Sequence, residues 1–163
     1  MSANLPAARA RNEVAPVSGS EDFVTMTIAD QLFGIPVLQV QDILGHQRIT
    51  RIPLAPPEVA GSLNLRGRIV TAIDVRLRLG LPARTGKASG MSIVVDLRGE
   101  LYSLMVDAVG EVLSLSSRDF ERSPSTLDIR WRDLSTGIYR LNDKLLVVLD
   151  VSRLLNFASL ETA

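Results

Sequence analysis

Asp74 and Asp150 are the first residues of this chain that could do chemistry together. They occupy matching points of two similar runs, Ile73-Asp74-Val75 and Leu149-Asp150-Val151. Two β halves that each donate one carboxylate can share a proton and run acid–base catalysis. Such an approach needs a small residue and a glycine after each aspartate, whereas the followers here are Val75-Arg76 and Val151-Ser152. Each aspartate instead ends an apolar run and precedes a short helical pattern, the place of a capping carboxylate. His46 is the only histidine and cysteine is absent, so no multi-imidazole site, thiolate metal site or cysteine nucleophile can be assembled. Among Gly45, Gln47 and Arg48, His46 reads as a solvated loop residue. No G-x-S-x-G elbow and no phosphate-binding or dinucleotide glycine loop occurs. The sequence predicts no catalytic residue, no metal and no cofactor.

Arg66 is the residue whose setting invites recognition rather than reaction. It precedes Gly67, which tolerates a positive φ, at the bend into the run Arg68-Ile69-Val70-Thr71-Ala72-Ile73-Asp74-Val75. The matching bend of the second run is Asn142-Asp143, ordinary turn chemistry. The run itself predicts a strand with Ile69, Thr71, Ile73 and Val75 on one face, and with Val70 and Ala72 making the other face partly buried as well.

Around that strand the expected elements are short. Residues 1–20 predict a disordered tail of Ala, Pro, Arg, Asn and Ser. A strand over 23–28, a turn at Asp30-Gln31 and an extended run over 32–44 follow, with Pro36 marking an edge or bulge. The proline-rich stretch 52–57 leads into one helical turn over 57–60 that ends at Gly61. After the central strand come a short helix over 76–79 and a loop over 80–90. Strands are expected over 92–97, 101–109 and 112–115, then an irregular stretch anchored by Phe120 and Trp131. A hairpin turns over Asn142-Asp143, and an amphipathic C-terminal helix runs from 151 to about 160.

The chain also repeats itself. Shifted by 69 positions, residues 31–44 match 100–113; shifted by 76, residues 65–75 match 141–151. This predicts an all-β fold of two packed five-stranded units joined by short helices, the first over about 22–80 and the second over about 91–156. Each is small enough that its own core is marginal. Small closed barrels would hide the strand edges. Whether strands cross between the copies is open at this level. The 163 residues are 46% hydrophobic and only 4% aromatic, with 18 basic and 18 acidic side chains. That balance gives no field to draw nucleic acid or an anionic membrane, and no apolar run nears the roughly 18 residues of a membrane span. A soluble, cytoplasmic protein is expected.

Several stretches together resemble the CheW family of bacterial chemotaxis coupling proteins. They include Phe33-Gly34-Ile35-Pro36-Val37, Val40-Gln41-Asp42-Ile43, Pro57-Glu58-Val59-Ala60-Gly61, Asn64-Leu65-Arg66-Gly67, Ile73-Asp74-Val75-Arg76, Val106-Asp107-Ala108-Val109 and Ser152-Arg153-Leu154-Leu155-Asn156. The resemblance covers nearly all of residues 23–156, within a domain drawn as 21–158 and followed by a short tail at 159–163. It implies two SH3-like β-barrels, no catalysis, and a scaffold that joins chemoreceptor tips to the regulatory domain of the histidine kinase CheA, with other CheW copies as further array partners. It implies a receptor-facing groove containing Val40, Gly61, Asn64, Leu65, Arg66, Val109 and Val112. It also implies a cytoplasmic protein recruited to the inner face of the membrane through receptor arrays. Two readings are kept against it: a small-barrel nucleic-acid binder, which would show salt-dependent oligonucleotide binding, and a hydrolase with an unrecognised site, which would turn over some member of a substrate panel.

Overall fold

The computed structural model describes residues 19–82, 90–122 and 127–156. The expected tails at 1–20 and 159–163, most of the 80–90 loop and the far end of the C-terminal helix lie wholly or largely outside these residues. Eleven strands and three one-turn α-helices are described. The first copy supplies β1 (Ser20–Ile28), β2 (Gln31–Pro36), β3 (Val40–Leu44), β4 (Val59–Leu65), β5 (Arg68–Asp74) and α1 (Val75–Arg78). The second supplies β6 (Met91–Leu97), β7 (Glu100–Val106), β8 (Ala108–Ser116), β9 (Phe120–Glu121), α2 (Ile129–Arg132), β10 (Ser135–Arg140), β11 (Leu145–Leu149) and α3 (Val151–Leu154).

The sheets do not follow the copies. A six-stranded sheet runs β8-β1-β2-β11-β10-β9, and a five-stranded sheet runs β3-β6-β7-β5-β4. Each copy therefore lends its first hairpin to the other copy's sheet: β1–β2 joins β8 to β11, and β6–β7 joins β3 to β5. The pairing is the same on both sides. β2 lies parallel to β11, as β7 lies parallel to β5. The crossing of strands between the copies, left open by the sequence, is thus the exchange of a whole hairpin in each direction.

Both sheets curl back on themselves. β8 runs through the turn Ser117–Asp119 into β9 at the opposite edge of its sheet. In the other sheet, the chain leaving β3 bridges to β4 through Thr50 and Ser62. Curling of this kind shields part of the sheet edges, while β8 and β9 in one sheet and β3 and β4 in the other remain the edge strands.

The core shows why neither sheet stands alone. One apolar cluster lies within the five-stranded sheet (Leu63, Val70, Ala72, Val94, Leu101) and another within the six-stranded sheet (Phe23, Tyr139, Leu146, Val148). The main cluster takes Met26, Phe33 and Leu149 from one sheet, Ile73, Ile93 and Leu104 from the other, Val75 and Leu154 from the helices α1 and α3, and Leu79 from the end of α1. A fragment of residues 20–85 would hold β1–β2 without their sheet and would lack the β6–β7 that join β3 to β5. It should be aggregated or molten, with exchange protection absent throughout. A single sharp calorimetric transition from that fragment would show that the first copy folds alone.

Several local expectations change. The run over 32–44 breaks at the 3-10 turn Val37–Gln39, and 101–109 breaks at Asp107, because in both places the chain leaves one sheet for the other. The helical turn expected over 57–60 is a plain turn, Val59 N–H donating to the Pro56 carbonyl, and β4 starts at Val59. Ile69 is 69% exposed rather than covered. Asp74 and Asp150 cap one-turn helices: Asp74 Oδ1 accepts from Leu77 N at 3.2 Å, and Asp150 Oδ1 from Arg153 N at 3.2 Å. Alanine at either position should lower stability by roughly 0.5–2 kcal/mol in denaturant melts and leave partner binding intact once folded. Wild-type melting with lost binding would contradict the capping role.

Candidate functional site

The β4–β5 hairpin builds the tip that carries Arg66. Arg66 (φ 52°) and Gly67 (φ 86°) are both left-handed, the backbone of a type I′ turn, whose twist matches that of the strands it joins. Asn64 holds the bend, its Oδ1 accepting from Gly67 N at 2.9 Å. The Arg66 side chain is 76% exposed, and its Nη1 lies 3.0 Å from Asp42 Oδ2 on β3. The pair ties the tip to the strand that begins with Val40.

Val40 and Val109 are equivalent under the 69-residue shift; Val40 is the first residue of β3 and Val109 the second of β8. Each is half-buried and packs on the shared core, from the five- and the six-stranded sheet respectively. Beyond them Ile43 and Val112, another equivalent pair, are 41% and 56% exposed. The structure thus gathers Val40, Asn64, Leu65 and Arg66 on one sheet and sets Val109 and Val112 on the edge strand of the other. Leu65 is half-buried against the small cluster of its own sheet. Gly61 belongs to a different category, because it is buried at a β-bulge between Val59 and Gly61 with φ +152°. A Cβ there would run into the Thr50 carbonyl. Gly137 repeats every part of this: a bulge after Ser135, φ +156°, and a blocking Glu121 carbonyl.

A CheW-like domain model matches residues 22–159. The chain belongs to the CheW-like family. It is 28% identical over 145 residues to the chemotaxis protein CheW of Klebsiella aerogenes, covering 89% of this chain and 87% of that protein. To the CheW of Helicobacter pylori it is 30% identical over 133 residues, covering 82% and 80%. Among solved structures it resembles the scaffolding protein TtCheW of Thermoanaerobacter tengcongensis, with a TM-score of 0.72 and 30% identity over 80% of this chain and 88% of that one.

Two features of this CheW-like chain escaped sequence reasoning. Asp42, the partner of Arg66, carried a signal in its placement: under the repeat the matching positions are Glu111 and Asn142, which cannot pair as ions. The second is Arg76, whose Nε and Nη2 donate to the two Asp107 carboxylate oxygens at 2.9 and 2.7 Å. That bond holds the Arg76 guanidinium even more firmly protonated than usual.

Cavities also open away from the Arg66 tip. One of about 570 Å³ opens between the helices and is lined by Arg78, Arg130 and Arg153. Arg78 donates to the Leu154 and Arg153 carbonyls, Arg130 to Gly80 and Asp128, and Arg153 to Ser135. These guanidiniums bind backbone carbonyls and a carboxylate of the protein itself. No cluster of three His, Cys, Asp or Glu side chains suited to a metal exists among the described residues.

Proposed function

We propose that this chain is a non-catalytic chemotaxis adaptor that seats the helical tip of a receptor between β3 and β8 and carries the regulatory domain of the kinase CheA on another face. The observation that carries the reading is the CheW-like match over residues 22–159. The geometry supports it. Val40, Val109, Val112 and Leu65 offer apolar burial to an amphipathic helix, and Arg66 offers charged donors at the rim. Contacts of this size are individually weak and gain strength when many copies bind in an array. No described helix is long and apolar enough to cross a membrane. Recruitment to the inner face of the membrane would therefore come through the receptors.

The nucleic-acid reading is not favoured. Stacking platforms need exposed aromatic rings, and Phe23, Phe33, Tyr102 and Tyr139 are all buried. Reconstitution tests the proposal: the full chain, receptor-tip fragments and CheA should form a ternary complex in which kinase activity depends on this chain. Binding to neither partner, or turnover of a substrate by the chain alone, would overturn it.

A further inference from the structure

The chain passes between the two sheets at matched points that are built differently. β2 reaches β3 through the turn Val37–Gln39, and β7 reaches β8 through Asp107 alone. Under the 69-residue shift Asp107 corresponds to Leu38, and under the 76-residue shift Arg76 corresponds to Ser152. The Leu38 passage therefore cannot form an ion pair, and Leu38 is 93% exposed. The Asp107 passage is fixed from several sides. Its carboxylate takes both bonds from Arg76, and Oδ2 also accepts from Ala29 N at 2.8 Å, in the β1–β2 turn. Its own N–H donates to the Thr27 carbonyl at 3.1 Å. Arg76 lies on α1, directly after β5 of the five-stranded sheet, while Thr27, Ala29 and β8 belong to the six-stranded side.

We propose that Arg76 and Asp107 are positioning residues that fix the receptor-facing strand β8 against the five-stranded sheet. Val109 stands two residues beyond Asp107, so the direction in which β8 leaves the junction sets where Val109 and Val112 meet a helix. Both partners are only about a fifth exposed, 21% and 22%. Solvent therefore screens this pair less than a surface pair, and a bidentate guanidinium–carboxylate contact restricts angle as well as distance. The inference rests on the receptor-groove reading above.

The test uses the full chain with Asp107→Asn, which keeps an acceptor for Ala29 N–H, Arg76→Gln, the double variant, and the milder Arg76→Lys. Amide exchange should rise in residues 27–29 and 107–113 and stay low in β6 and β11. Receptor-tip affinity should fall about tenfold in either single variant and no further in the double, with Arg76→Lys recovering part of it and CheA affinity unchanged. Receptor and CheA affinities that fall together, in step with the melting midpoint, would make the pair a structural staple and overturn the proposal. Unchanged receptor affinity despite raised exchange would overturn it too. If the wild-type chain itself fails to bind receptor tips, the groove reading is what fails. The exchange pattern then decides the clamp alone, supporting it if confined to those segments and sinking it if unchanged.

Discussion

Alanine at Gly61 should destabilise the protein by about 3 kcal/mol or more, and alanine at Gly137 should do the same. Two costs combine at each site. The backbone sits at φ +152° or +156°, a region where a side chain is strained by roughly 1–3 kcal/mol. The new methyl also meets a carbonyl oxygen, of Thr50 in one case and Glu121 in the other. Backbone cannot swing aside as a flexible side chain can, and overpacking of this kind costs a further 1–3 kcal/mol or so. For a domain of this size the melting midpoint should fall by roughly 6–12 °C. The pairing of the variants gives the test its force, because only Gly61 stands among the residues proposed for the receptor groove, while both glycines sit at the matched bulges. Receptor binding by Gly61→Ala should be lost in proportion to folding. If Gly61→Ala melted like the wild type and still failed to bind, the glycine would be a contact residue and the bulge argument would be wrong.

What could be read from the sequence was what is periodic or local. The strands, the turn at Arg66-Gly67 and the capping aspartates follow from alternation, from glycine and from an aspartate placed before a helical pattern. The duplication was legible because two shifts, 69 and 76, align it. The hairpin exchange was not, since an apolar β1 face packs equally well on either copy's sheet and nothing in its pattern names the partner. Gly61 was read as the end of a helical turn because Pro57-Glu58-Val59-Ala60 suits one locally. Its real cause is Thr50, which approaches from elsewhere in the chain. The weight placed on Arg66 also changes. Asn142-Asp143 served as its control, yet Asp96-Leu97-Arg98-Gly99 repeats the chemistry of Asn64-Leu65-Arg66-Gly67. Arg98 (φ 55°) and Gly99 (φ 85°) have the same turn backbone, and Asp96 Oδ1 accepts from Gly99 N at 2.9 Å. An arginine at such a turn is therefore no mark of function by itself. Its ion pair to Asp42, beside Val40, is what separates Arg66, and that contact joins positions too distant in sequence for a local pattern to connect.

Arg66→Glu should weaken receptor-tip binding roughly tenfold to a hundredfold, the equivalent of losing charge-assisted bonds worth about 1.5–3 kcal/mol. Its effect on the fold should be small but not zero. The exposed pair with Asp42 is worth about 0.2–1 kcal/mol, and the substitution sets a second carboxylate against Asp42, which is 26% exposed. A fall in melting midpoint of roughly 2–4 °C follows. Arg98→Glu changes the same turn backbone and shows how much of that fall belongs to the turn alone. The double exchange Arg66→Glu with Asp42→Arg then separates the two roles. It restores an ion pair of opposite direction, so melting should recover, while the guanidinium no longer stands at the hairpin tip and receptor binding should stay weak. CheA binding should be near normal in every variant. Recovery of receptor binding in the double exchange would mean that the ion pair, and not the donors Arg66 presents outward, is what the receptor requires. Normal receptor binding by Arg66→Glu itself would remove Arg66 from the recognition surface.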